Sequence, residues 1–145
     1  MIFKKLEYEH ITEIKNWAKH ESLEWIAIYD WDVYYEYAIN EPSTSVFAIY
    51  DDDIFIGELS AEYDDEDNCL HISLIINPQF QNRGFGVKAL NYFRENIQSL
   101  VDTPAKYIDV GIYKTNIASL KCFKKAGYIY QNTDEDDFEN FFLYL

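Results

Sequence analysis

The stretch "SVFAIYDDDIFIGELSAEYDDEDNCLHISLIIN" (Ser45–Asn77) constrains the fold most, because three apolar, β-branched runs succeed one another with only acidic clusters between them. It reads as an antiparallel meander. The strands fall near Val46–Tyr50, Ile54–Glu62 and Cys69–Ile76, with turns at Asp51–Asp53 and Asp64–Asn68. The next segment is as informative. "NPQFQNRGFGVKAL" places Gly84 and Gly86 directly after the third strand and at the start of an amphipathic helix from about Gly84 to Leu100. Val87, Leu90, Phe93, Ile97 and Leu100 mark that helix's apolar face.

Glycines at a strand-to-helix junction leave backbone N–H groups bare, and a helix N-terminus adds favourable potential for an anion. The amides from Asn82 through Val87 can thus surround a phosphate, with the Arg83 side chain beside them. Two familiar phosphate loops do not fit. A Rossmann unit lacks its acidic ribose-binding residue and its parallel context here, and no Gly-Lys-Ser/Thr exists for a Walker loop.

The remaining elements intermix strands and helices. Ile2–Leu6 reads as a strand and about Glu9–Lys19 as a helix, with Ile11, Ile14, Trp17 and Ala18 at helical spacing. Glu21–Asn40 is aromatic and acidic without a clean period, and reads as a loop with one or two short helices ending before Pro42. Lys106–Tyr113 is a strand. A helix then runs from a cap at Asn116 to Gly127, with Lys121, Lys124 and Lys125 suiting its C-terminal dipole. "YIYQ" and "FENFFLYL" are the last strands, joined by the acidic turn "NTDEDD". This order, β, α, (α), β, β, β, α, β, α, β, β, predicts a mixed α/β fold of α+β type around a largely antiparallel sheet.

The 145 residues suffice for one domain, expected over 1–145. No stretch has the apolar length of a membrane span and no signal-peptide core is present, so a cytoplasmic protein is expected. With 26 Asp and Glu against 12 Lys and Arg, the net charge of −14 disfavours nucleic acid and favours cationic ligands. Cys69 and Cys122 lie far apart with no CxxC or clustered histidine, so reduced, buried thiols and no structural metal are expected.

"INPQFQNRGFGVKAL" resembles the pyrophosphate loop of the GNAT superfamily of N-acyltransferases. "NIASLKCFKKAGY" (Asn116–Tyr128) is similar to that family's second cofactor motif, and the two stand in the family's order with one strand between. The resemblance covers the whole element order. It implies a twisted, mostly antiparallel sheet of six to seven strands flanked by about four helices, and transfer of an acetyl group from acetyl-CoA to a primary amine in a ternary complex. Coenzyme A would be held by Gln81, Asn82, Arg83, Gly84, Phe85, Gly86 and Val87. Backbone groups of Leu74, Ile75 and Ile76 would pair with pantetheine along an edge splayed from Tyr107–Tyr113. An amide of Ile75 or Ile76 would stabilise the oxyanion. Asn116 and Ser119 would line the pantetheine arm, with Phe123 near the sulfur; for Asn116 a plain helix cap serves equally well.

An ammonium acceptor, with a pKa of about 10, must lose a proton before it attacks. His71, Glu58 and Glu62 are the candidate bases. His71 shares strand parity with Ser73 and Ile75, and reads equally well as a base or as a satisfied structural histidine, while the carboxylates read as an ordinary solvated face. Many relatives supply an acid from a tyrosine where this chain has Phe123, which leaves Ser119 as the candidate, with Cys122, Tyr113 and Tyr128 behind it. Such an acid contributes about 10²–10⁴-fold, so its loss slows transfer without abolishing it. Trp25, Tyr29, Asp30, Trp31, Asp32 and Tyr34, with the turn Asp134–Asp137, would receive a cationic acceptor: a polyamine, an amino sugar, or a peptide or protein amine. The rival reading is a non-catalytic acyl-CoA-binding or protein-interaction module. The chain is expected to be a monomer or homodimer with no membrane partner.

Overall fold

The computed structural model describes residues 1–145. Its strands are β1 (Ile2–Lys5), β2 (Thr44–Asp51), β3 (Ile54–Asp64), β4 (Cys69–Ile76), β5 (Tyr107–Tyr113), β6 (Ile129–Thr133) and β7 (Phe138–Tyr144). Its helices are α1 (Tyr8–Trp17), α2 (Trp31–Asn40), α3 (Phe85–Leu100) and α4 (Ile117–Lys125), with short 3₁₀ turns at Glu21–Leu23 and Pro78–Phe80. The seven strands form one sheet in the order β1-β2-β3-β4-β5-β7-β6, antiparallel throughout except between β4 and β5. The mixed, mostly antiparallel class read from the sequence is the one observed.

Local chemistry explains the hairpins. Asp51 pairs with Ile54, leaving the two-residue loop Asp52–Asp53, and both aspartates take positive φ (48° and 62°). That is the geometry of a type I′ turn, whose twist matches the flanking strands and whose left-handed positions Asp tolerates. After β3, the Asp64 carboxylate accepts from the amides of Glu66 and Asp67 and tightens the next turn.

Two apolar layers sandwich the sheet. On one side Ala89, Leu90 and Phe93 of α3 and Leu120 and Phe123 of α4 pack on Leu59, Leu70, Ile72 and Phe141. On the other, Ile11, Ile14 and Trp17 of α1 and Trp31 and Ala38 of α2 cover Val46, Ala48, Phe55 and Ile75. The segment with no clear period contains a ten-residue helix, α2. Asp30 initiates it by accepting from the amides of Asp32 (3.0 Å) and Val33 (3.2 Å). Its periodicity is obscured because Tyr34 and Tyr37 also turn toward the sheet, using their hydroxyls on Glu58 and Glu62.

The functional consequence of this topology is a fork. β4 and β5 pair only at Cys69↔Tyr107, Leu70↔Ile108 and His71↔Asp109, and then part. The Asn77 amide donates to the Ile56 carbonyl at 2.8 Å, which fixes the alternation of the β3–β4 ladder. Hydrogen-bonded pairs are therefore Glu58–Ile75 and Ser60–Ser73, whereas the backbone groups of Leu74 and Ile76 point the other way, into the gap.

Candidate acyl-CoA cleft and proton-transfer group

At the open end of the fork lies a cleft of about 520 Å³. Leu74, Ile76, Gln81, Asn82 and the α3 N-terminus form one wall, and residues 115–119, Lys121, Cys122, Phe123 and Lys125 the other. Gly84 stands before α3 at φ +84° with nothing within 4 Å of where a Cβ would be. Open space and left-handed backbone together leave the loop bare, and the amides from Asn82 to Val87 donate to no loop or side-chain acceptor. Gly86 serves packing instead: a Cβ there would come within 2.7 Å of Cys122 Sγ, so α3 and α4 meet without a spacer.

The expected cofactor residues gather here with differences of role. Gln81 uses its side-chain amide on the Ile76 carbonyl at 2.9 Å and so holds the loop against the fork. Ile75 differs from the others: its amide belongs to the β3 ladder and its side chain to the α1–α2 layer, so Leu74 and Ile76 carry the free edge. Arg83 is not among the cleft-lining residues: its guanidinium lies over the rings of Phe80 and Phe85, at 5.4 and 5.5 Å. Asn116 caps α4 by accepting from the Ser119 amide at 3.3 Å while also lining the cleft. Phe123 forms part of the wall and packs edge-on against Tyr128. Burial pushes the neighbouring Cys122 thiol up to about 11.

Lys121 and Lys125, four residues apart on one face of α4, both line the cleft. Sequence alone ties them only to the helix dipole; the packing of α3 on α4 brings them into the glycine loop's cavity. They make this the locally cationic part of a chain with net charge −14.

Glu58 is where the structure departs furthest from the sequence reading. It is not on a solvated face: the residue is 0% exposed on the α1–α2 side of the sheet, one strand in from the fork. Tyr34 donates to its Oε1 at 2.6 Å, whereas Oε2 is buried without a partner. Burial raises the carboxyl from its ordinary 4.5 to about 7, against a smaller opposing effect of the Tyr34 hydrogen bond. The Tyr34 phenol is itself pushed upward by burial and by Glu58.

His71 keeps the expected parity but lies five residues before Ile76, about 16 Å along the strand. Both its ring nitrogens face carboxylates, Asp109 and Asp64. It therefore sits at the closed end of the fork, apart from the cleft. Glu62 accepts from Tyr37 at 3.2 Å.

The acceptor residues divide. Trp25 lines the cleft and stacks on Tyr113, with centroids 5.4 Å apart. Tyr113 in turn pairs with Phe138, just after the turn Asp134–Asp137. Trp31 is a core residue at 7% exposure and is unavailable to a ligand. Asp32 is engaged by Lys15 at 2.9 Å and by the Tyr8 hydroxyl. Asp30 is the α2 cap, and Tyr29 stands out in solvent.

A largely antiparallel sheet, split at its one parallel pair with a helix N-terminus facing the split, defines a mixed α/β protein whose cleft fits an extended ligand with an anionic head. The sequence matches the acetyltransferase (GNAT) domain family over residues 2–129, and the chain belongs to that family. No curated protein sequence matches. Among solved structures, a spermidine N-acetyltransferase SpeG chimera from Vibrio cholerae and hSSAT is similar at TM-score 0.84 and 16% identity, covering 99% of this chain and 94% of that one. Aminoglycoside acetyltransferase AAC(6')-Ib in complex with coenzyme A is similar at 0.82 and 15% identity, covering 98% and 93%. Campylobacter jejuni N-acetyltransferase PseH in complex with acetyl coenzyme A is similar at 0.76 and 17%, covering 99% and 97%. No helix is long and apolar enough to cross a membrane.

Proposed function

We propose that the protein is an acetyl-CoA-dependent N-acetyltransferase for a cationic primary amine, formed by one domain over residues 1–145. The observation that carries this reading is the alignment of bare amides at Asn82–Val87 with the free backbone edge of Leu74 and Ile76. The loop suits a diphosphate, Lys121 and Lys125 suit further phosphate charge, and the strand edge suits the amides of an extended arm.

Glu58 is the proton acceptor in this reading. It is half ionised near pH 7, where a general base is most effective. Because Glu58 has no exposed surface and neither it nor Tyr34 is among the cleft-lining residues, the acceptor would have to reach the Tyr34 hydroxyl, which would take a proton from the ammonium and give its own to Glu58 Oε1. The freed amine nitrogen then attacks the thioester carbon, a C–N bond forms, the C–S bond breaks with the electron pair leaving on sulfur, and the nitrogen's surplus proton passes to that thiolate, giving a neutral amide and thiol. An Ile76 amide suits the oxyanion. Phe123 offers no proton to the leaving sulfur; Ser119 is a hydroxyl-bearing residue of that wall, and a thiol with a pKa of about 8.5 is already a workable leaving group.

The acceptor class rests on charge. Trp25 and Tyr113 present aromatic faces beside the turn Asp134–Asp137, a combination that attracts ammonium groups. Spermidine and aminoglycosides, which appear in the names of similar structures, are amines of this kind. The test is thiol release from acetyl-CoA across polyamines, amino sugars and peptides with free amines. Turnover on at least one cationic amine is expected, and on no neutral one. Tight coenzyme A binding with no turnover on any amine would replace this reading with a non-catalytic acyl-CoA-binding module.

A further inference from the structure

The closed end of the β4–β5 fork holds a second cluster, separate from the cleft. Asp64 ends β3 opposite Cys69, the first residue of β4, and His71 stands beside Asp109 of β5. Cys69 and His71 are two apart, so their side chains share one strand face. His71 Nε2 lies 3.2 Å from Asp64 Oδ2 and 3.7 Å from Cys69 Sγ. All three ligand-type atoms lie within 4.8 Å of one another.

These separations can be compared with a tetrahedral zinc site. Bonds of about 2.1 Å to nitrogen, 2.3 Å to sulfur and 2.1 Å to oxygen place nitrogen about 3.6 Å from sulfur and about 3.4 Å from oxygen. The two spacings from Nε2 fit both, while the oxygen–sulfur separation, within 4.8 Å against about 3.6 Å for a tetrahedron, closes on binding. The imidazole is also oriented for ligation, because Nδ1 is turned to Asp109 Oδ1. With Nδ1 turned to Asp109, Nε2 either donates a proton to Asp64 Oδ2 or, in the neutral tautomer, presents a lone pair to an incoming cation.

We propose that Asp64 Oδ2, Cys69 Sγ and His71 Nε2 bind one zinc-class divalent metal ion, with water as the fourth ligand and Asp109 fixing the imidazole. Binding releases the thiol proton to solvent, since the thiolate is the ligand. Entry is from the surface: the His71 and Asp64 side chains are 47% and 30% exposed, whereas Cys69 forms the buried floor. The ion ties the β3–β4 turn to β4 and, through Asp109, to β5. It thereby fastens the end of the fork from which Leu74 and Ile76 diverge, and it lies too far from them to enter acyl transfer. The separation of Cys69 and Cys122 hides this site in the sequence, because strand pairing supplies both carboxylates.

The experiment uses the full chain without a polyhistidine tag, stripped by a chelator and titrated with Co²⁺, then with Zn²⁺. One equivalent of Co²⁺ is expected to produce a thiolate-to-cobalt charge-transfer band that Zn²⁺ abolishes. Zn²⁺ at a hundredfold excess over its Kd should raise the melting midpoint by roughly 8 °C. His71→Gln and Asp64→Asn, both at partly exposed positions, should each weaken binding at least tenfold, and Cys122→Ser should leave the band intact. Far-UV circular dichroism of the same samples reports whether each variant is folded, so failure here is distinct from failure of the proposed acyl transfer. Absence of the band in the stripped native protein overturns the proposal, as does its persistence in both ligand variants or its loss in Cys122→Ser.

Discussion

Replacing Glu58 by Gln keeps an acceptor for the Tyr34 hydroxyl and removes the one fully buried carboxylate. The native group titrates near 7 and its unfolded counterpart near 4.5, because burial disfavours the charge. Between those values the folded state binds more protons than the unfolded one, so this group makes stability fall as pH rises. The penalty is absent below about 4.5 and complete above about 7, and the difference in pKa corresponds to about 3 kcal/mol. Urea denaturation of both proteins from pH 4 to pH 8 isolates the contribution, since every other titrating group cancels in the difference. Glu58→Gln should gain about 3 kcal/mol on the native protein across that range. The same substitution should lower kcat at least a hundredfold and remove the ascending limb of its pH profile near 7. A stability difference that stays flat with pH would refute the role given to burial. An unchanged kcat would remove Glu58 from proton transfer.

Two further perturbations address the cleft. Gly84→Asp meets no neighbour but must hold a left-handed φ and places a carboxylate among the bare amides, so it should cost about 1–2 kcal/mol of stability and abolish coenzyme A binding measured by calorimetry. Gly86→Ala drives a methyl into Cys122 Sγ and should cost about 1–3 kcal/mol in thermal unfolding; adding Cys122→Ala should restore most of it, and a strictly additive double variant would deny the contact.

Much of the fold is legible in the sequence because its signals are local. The hairpins are written in Asp51–Asp53 and Asp64–Asn68, and the bare loop before α3 in Gly84, whose left-handed φ suits glycine, while Gly86 marks the close approach of α4. α2 is harder to read because its sequence satisfies two demands at once, with Trp31 and Ala38 in the core and Tyr34 and Tyr37 reaching carboxylates on β3. Glu58 reads wrongly as solvated for a related reason. Alternation along β3 assigns it to a face, but only the packing of α2 decides whether that face is wet. Strand parity likewise groups His71 with Ile75 and is silent on distance, which places them at opposite ends of β4.

The charge distribution ties these features together. A chain with net charge −14 should repel a polyanion at long range, yet the loop needs only short-range donors: amides with no other partner, and two lysines one helical turn apart. Screening reduces the long-range repulsion beyond about 10 Å at moderate salt, while contacts in the cleft lie well inside that distance. In the proposed reading the remaining acidity works for the amine acceptor, concentrating cations around Trp25, Tyr113 and Asp134–Asp137. This division predicts opposite salt responses. Raising ionic strength should weaken capture of a polycationic amine, seen as a rising KM, while leaving coenzyme A affinity unchanged or improved. A parallel rise in both constants would show that one field governs the two ligands and that the acidic surface has no selective role.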